Sequence, residues 1–177
     1  MINDGRSMKI VFLAHCILNS NAIAVGPKTP TIWPAMINEV LSFLMEKKVS
    51  IVQLPCPEQP IFGFIRGSQT KTDMDTSEYR KHCRIIAENV TNLVEGYVKN
   101  GFKVLCLVGK RGSPSCGVKK VWIRRNKEKV EVEGKGIFIE ELLDEFRKRG
   151  LNIPFIDFER TEVEECLKNL DKLISES

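Results

Sequence analysis

The sequence predicts an α/β protein: a single-domain, doubly wound, three-layer α/β/α fold with a mainly parallel sheet and a β-hairpin excursion. Three observations carry that expectation. Four short runs are apolar on both faces, as strands covered on two sides are. The segments between them repeat apolar residues at helical spacing. The order strand, helix, strand, helix, strand, hairpin, helix, strand, helix is the alternation of layered α/β folds.

The strands are "MKIVFLAH" (Met8 to His15), "SIVQLPC" (Ser50 to Cys56), "FKVLCLVG" (Phe102 to Gly109) and "NIPFIDF" (Asn152 to Phe158). In the first helix Pro34 suits the first turn, and Met36, Ile37, Val40, Leu41 and Leu44 follow on one face. A longer helix starts near Asp75 or Thr76, turns Tyr79, Cys83, Ile86, Val90, Leu93 and Tyr97 inward, and stops at Gly101. "GIFIEELLDEFRKRG" is the third, with Phe138, Leu142, Leu143 and Phe146 inward and Gly150 as its stop; Glu162 to Ile174 is the fourth. Between Val118 and Val132 apolar and polar residues alternate around Asn126-Lys127, the pattern of a hairpin. Residues 1–7, "MINDGRS", read as a loose arm, which leaves 8–177 for the domain.

At 177 residues, 42% hydrophobic and 28% charged, the chain is long enough for one core and excludes a largely disordered class. No apolar run reaches the roughly 20 residues of a membrane span. "KIVFLAHCIL" resembles a short signal core, but His15 stands where cleavage needs a small residue and Asp4 precedes it, so the cytoplasm is expected. The net charge of +4 is unevenly spread. Lys110 to Lys135 holds nine Lys/Arg against three Glu, whereas Glu159 to Ser177 holds six acids against three bases.

Six cysteines at 16, 56, 83, 106, 116 and 166 contain no CxxC, no CxxxCxxC and no zinc-type spacing. In a doubly wound sheet, ligands bind outside the carboxyl ends of the strands, at the switch in strand order. Cys16, Cys56 and Cys116 each follow a strand, in "HCILNSN", "PCPEQP" and "SPSCG", so the fold would gather them at one edge. Three thiolates there suit a soft metal better than a hydrolase triad, since no second His or paired carboxylate accompanies them. Cys83, Cys106 and Cys166 fall on apolar faces and read as small core residues. His15 reads as a core residue or one behind the ligands, and His82 as surface.

"HCILN" after the first strand, "PCPE" with "GFIRG" after the second, and "GSPSCG" after the third resemble the three-motif signature of the DUF523/TudS family of thiouracil desulfidases, and most of all its divergent TudS-related branch. The resemblance extends through "VEGKGIFIEELLDEFRKRGLNIPFIDF". It implies a 4Fe-4S cluster held by Cys16, Cys56 and Cys116 with one open iron. It also implies a non-redox reaction in which a thiocarbonyl becomes a carbonyl and sulfide leaves. Within that frame Glu58 is the candidate acid or base, Ser113 and Ser115 orient water or substrate, and Asn19, Arg66 and Lys110 contact substrate, with Asn21 beside Asn19. The chain departs from the family after the first cysteine, reading "ILNSNAIAVGP", and after "CPE", reading "QPIFGFIRG".

A thiolated nucleobase or nucleoside is the implied substrate, for a monomer or homodimer. The basic strip Lys110, Arg111, Lys119, Lys120, Arg124, Arg125, Lys127 and Lys129 extends the range to tRNA, because phosphates are gripped by such residues. Gly134-Lys135-Gly136 before a helix is a further candidate anion site. Two other classes compete: a non-catalytic iron-sulfur or thiol redox sensor, and a nucleic-acid-binding module whose cysteines are structural.

Overall fold

The structure, a computed structural model, describes residues 4–26 and 34–177. Its strands are β1 (Lys9–Ala14), β2 (Ser50–Leu54), β3 (Lys103–Lys110), β4 (Lys120–Arg125), β5 (Glu128–Glu133) and β6 (Phe155–Phe158). Its helices are α1 (His15–Leu18), α2 (Asn38–Glu46), α3 (Gln59–Phe62), α4 (Lys71–Met74), α5 (Ser77–Lys99), α6 (Ile137–Lys148) and α7 (Val163–Ser175).

β1, β2, β3 and β6 pair in parallel in the order β2-β1-β3-β6. The chain leaves β1 for a neighbour on one side and later returns to place β3 on the other. That reversal creates the expected switch point between β1 and β3. Side chains of a strand alternate between its faces. Val11 and Leu13 accordingly join the layer of α2 and α7, with Val40, Leu44, Cys166 and Leu170. Ile10 and Phe12 join the layer of α5 and α6, with Tyr79, Cys83, Phe138 and Phe146. Each fully buried large apolar side chain contributes on the order of 1.5–3 kcal/mol.

β4 and β5 form the antiparallel hairpin. Asn126 and Lys127 have φ of 49° and 69°, the double left-handed geometry of the tight turn that matches strand twist. The hairpin is strapped to the segment before α5: Arg124 bonds Asp73 through Nε and Nη2, both at 2.9 Å, and Lys129 Nζ donates to Ser68 O at 2.7 Å.

Several boundaries differ from the sequence reading. Pro34 lies outside a helix that begins only at Asn38. Ala35 O accepts from Ser20 N and Ile37 N donates to Ile17 O, so this stretch is tied to α1 instead of coiling. α5 starts where expected, with the Thr76 hydroxyl accepting from Tyr79 N at 3.1 Å. Its inner face, however, runs Tyr79, Cys83, Ala87, Val90, Val94, and Leu93 stands 46% exposed. β6 is shorter than "NIPFIDF" and starts at Phe155. The arm expected over 1–7 lies partly outside the described residues; from Asp4 onward no regular element precedes Lys9. No described helix is long and apolar enough to cross a membrane.

Candidate functional site

The carboxyl ends of β1, β2 and β3 deliver the three cysteines. Cys16 sits in α1, Cys56 between β2 and α3, and Cys116 between β3 and β4, each half-buried. Cys16 packs on the α2/α7 layer and Cys116 on the α5/α6 layer, so the group straddles the sheet edge. Their electrostatics show that they sense one another. Burial pushes the Cys16 thiol up to about 11; Lys110 opposes that, while Cys56 and Glu58 reinforce it. Cys56 is raised by burial against the pull of the Gln59 and Glu58 backbone N–H groups. Cys116 is pushed well above its ordinary value by burial first, then by Cys16, Glu58, Cys56 and Cys83. In the metal-free protein these thiols hold their protons at neutral pH, and any metal must displace them.

The Cys116 turn is built tightly. Lys110 N donates to Cys116 O at 3.0 Å and Gly117 N to Ser113 O at 3.1 Å. The Ser113 hydroxyl oxygen accepts from the N–H of Ser115 at 3.2 Å and of Cys116 at 3.0 Å. Glycines make the approach possible. A Cβ on Gly109 would stand 2.2 Å from Cys116 O, and one on Gly136 would stand 2.3 Å from the carbonyl carbon and oxygen of Ser115. The turn also caps α6: Ile137 N donates to Pro114 O at 2.9 Å and Ile139 N to Ser115 O at 3.2 Å. The anion site expected at Gly134-Lys135-Gly136 is therefore corrected, because these helix-end donors already hold backbone carbonyls.

Glu58 and Arg66 form a buried pair beside the thiols, with side chains 11% and 7% exposed. Glu58 Oε2 accepts from Arg66 Nε at 2.9 Å and lies 2.8 Å from Nη2, while Nη2 also donates to Ala22 O at 3.0 Å. Glu58 Oε1 is left with Ser113 Oγ at 3.4 Å. One carboxylate oxygen is thus anchored and the other faces Ser113. Arg66 reaches inward although its neighbours Phe64 and Ile65 stand 74% and 93% exposed.

The other expected residues separate by role. Ser115 is fully buried, and its hydroxyl meets Tyr79 Oη at 2.7 Å, so it fixes the turn from behind. Asn19 is engaged within its own segment, its Oδ1 accepting from Asn21 N at 3.2 Å and Nδ2 at 3.0 Å. Lys110 Nζ lies 3.4 Å from Glu159 Oε2 and donates to Arg111 O at 3.3 Å. His82, expected at the surface, is half-buried. Its Nε2 donates to Pro57 O at 3.1 Å and its ring stacks on Tyr79. Sequence reasoning turned Tyr79 into the core and left His82 at the surface, and gave neither a place beside the cysteine turns; α5 is the crossover helix between β2 and β3, so its first turns lie toward the carboxyl edge, the signal that could have placed both.

The basic strip is largely neutralised from within. Arg111 pairs with Glu162 at 2.8 Å, Arg124 with Asp73 at 2.9 Å, and Lys119 and Lys120 with Glu165 and Glu131, each at 3.8 Å. The acidic end of the chain thus folds onto its basic middle. Among the described residues no three His, Cys, Asp or Glu side chains come close enough to hold a single metal ion. A cluster makes a different demand, since each cysteine binds a separate iron at its own corner. Three thiols at one sheet edge, with Cys56 felt at Cys16 and both felt at Cys116, beside a glycine-cleared turn are a donor set of the kind a cluster would take.

Fold and site together define a class: a doubly wound α/β protein with three cysteines and a buried carboxylate–guanidinium pair at the switch in strand order. The family model described as "Putative 2-thiouracil desulfurase" matches residues 8–129, and the chain belongs to that family. The uncharacterized protein MJ0003 of Methanocaldococcus jannaschii is 29% identical over 171 residues, covering 96% of this chain and 99% of its own. Among solved structures, the 4Fe-4S-dependent thiouracil desulfidase TudS aligns over 93% of this chain and 99% of its own. The TM-score is 0.52 at 18% identity, a likeness of fold.

Proposed function

We propose that this protein is an iron-sulfur-dependent desulfidase that replaces the thiocarbonyl sulfur of a free thiolated nucleobase or nucleoside by oxygen. Cys16, Cys56 and Cys116 would hold a 4Fe-4S cluster. When bound, it would supply a soft Lewis acid suited to polarising a thiocarbonyl, whose carbon would then be more electrophilic. The reaction balances without electrons: C=S and water give C=O and hydrogen sulfide. One observation carries the reading, the gathering of three thiols and the Glu58–Arg66 pair at one sheet edge.

The residues divide the work. Glu58, anchored through Oε2, keeps Oε1 to accept the proton of the attacking water, with the Ser113 hydroxyl beside it. Arg66 holds that carboxylate and has Nη1 to offer a carbonyl or ring acceptor of the base, because this nitrogen is buried with no partner among the described residues. Ser115 holds the turn through Tyr79. Lys110 is the cation that favours the Cys16 thiolate. The internal pairing of the basic strip favours a small substrate over tRNA.

The test is iron, acid-labile sulfide and visible absorbance after anaerobic reconstitution, for the wild type and for Cys16→Ala, Cys56→Ala and Cys116→Ala. About four irons and four sulfides per chain in the wild type, lost or converted in each variant, is the expected result; sulfide release from 2-thiouracil then follows only in the wild type. An iron-free protein indifferent to all three substitutions overturns the proposal.

A further inference from the structure

His15, the residue before Cys16, has one ring nitrogen facing an amide and the other buried without a partner among the described residues. The Asn19 amide is oriented by Asn21, whose backbone N and Nδ2 both donate to Asn19 Oδ1 at 3.2 and 3.0 Å. Asn19 Nδ2 is thereby turned toward His15 Nε2, 3.5 Å away. An amide nitrogen only donates, so Nε2 must be the accepting nitrogen and the ring hydrogen resides on Nδ1. That Nδ1–H is shielded from solvent and meets no protein acceptor among the described residues.

It is not isolated in this. Ser20 Oγ and Arg66 Nη1 are also buried and meet no partner among the described residues. Ser20 lies on the same segment as His15, and Arg66 donates to that segment's end at Ala22 O. Three buried groups able to donate thus lie on, or on a side chain bonded to, the stretch from His15 to Ala22 that carries Cys16. A buried donor left unpaired is destabilising, and a bound group that supplies the acceptor relieves it.

We propose that His15 is a ligand-facing hydrogen-bond donor, offering Nδ1–H to an acceptor bound beside Cys16, with Asn19 as the residue that sets its tautomer. This rests on the desulfidase reading for the identity of the ligand, though not for the tautomer. The acceptor is either a heteroatom of the thiolated base or a sulfur of the cluster and its Cys16 ligand. Asn19, expected from the sequence to touch substrate, acts through His15 instead.

The experiment has two arms. Nitrogen-15 spectra of the histidine rings in the metal-free wild type, with His82→Gln to assign the signals, should show His15 in the Nδ1–H form; an Nε2–H form overturns the proposal. In reconstituted protein, His15→Asn keeps an amide donor near the Nδ1 position and His15→Phe removes it. If the acceptor is on the base, His15→Phe should weaken 2-thiouracil binding about tenfold, the worth of one net hydrogen bond, and His15→Asn should restore most of it. If the acceptor is a sulfur, His15→Phe should lower the cluster midpoint potential with binding unchanged, since hydrogen bonds to sulfur tune that potential. A His15→Phe protein with both quantities at wild-type values overturns the proposal. A wild type that takes up no iron defeats the desulfidase reading, and the tautomer measurement is still read independently.

Discussion

Gly136→Ser separates two accounts of why glycine precedes α6. Gly136 is the N-cap of that helix, with φ −69° and ψ 156°, a conformation open to any L-residue. Serine is a better N-cap than glycine, so capping alone predicts an unchanged or slightly more stable protein. The close packing predicts the reverse, because the new Cβ would sit 2.3 Å from Ser115 C and O and 2.8 Å from Cys116 N. These are backbone atoms of a turn tied down by several hydrogen bonds, and they cannot swing aside as a side chain would. Overpacking of this kind costs about 1–3 kcal/mol or more, and at about 2–4 °C per kcal/mol for a chain of this size the midpoint should fall by roughly 2–12 °C. Gly96→Ala is the control: its Cβ meets nothing within 4 Å, and helix propensity should stabilise the protein by about 0.8–1 kcal/mol. Thermal unfolding followed by circular dichroism, with iron content after reconstitution, reads both. Gly136→Ser as stable and as iron-loaded as the wild type would refute the packing argument.

Three further outcomes follow from the same geometry. Glu58→Gln leaves the Arg66 guanidinium buried without its counter-charge and should destabilise by about 3–5 kcal/mol in urea unfolding, with Glu58→Gln/Arg66→Met recovering part of the loss. Tyr79→Phe keeps the ring but abandons the buried Ser115 hydroxyl, so stability should drop by about 1–3 kcal/mol; combined with Ser115→Ala the loss should be less than additive. Asp73 is held below its ordinary 3.8 by hydrogen bonds from Arg124 first and then Thr70. A depressed folded value means its stabilisation is complete above 3.8 and is lost as the pH falls through the folded value. The gap in urea midpoint between wild type and Asp73→Asn should therefore be full near pH 6 and narrow in acid, and a constant gap would show that the hairpin strap is not ionic.

The parallel strands were readable because burial on both faces leaves an uninterrupted apolar run, and the hairpin because Asn126-Lys127 tolerates two left-handed residues. Placement of the three cysteines at one edge followed from topology alone. The one-turn helices α1, α3 and α4 were not readable, since four residues carry too little periodicity to register. The start of α2 differs because the hydrogen bonds from Ser20 N to Ala35 O and from Ile37 N to Ile17 O outweigh the local preference at Pro34. That the Ser115 hydroxyl is taken by Tyr79 was not readable, because Tyr79 lies 36 positions earlier in the chain. The basic strip looked like an open face because the carboxylates that answer it, Glu162 and Glu165, arrive from the far end of the chain.

The pairing of Ile137 N with Pro114 O and of Ile139 N with Ser115 O gives the molecule a built-in gauge. These two amides belong to a helix, yet their acceptors belong to the cysteine turn. Their deuterium exchange is therefore governed by opening of that turn as well as by fraying of α6. Filling the site should slow both amides while leaving the carboxyl end of α6 unchanged. Occupancy at the sheet edge would then be legible from two backbone positions that touch no ligand.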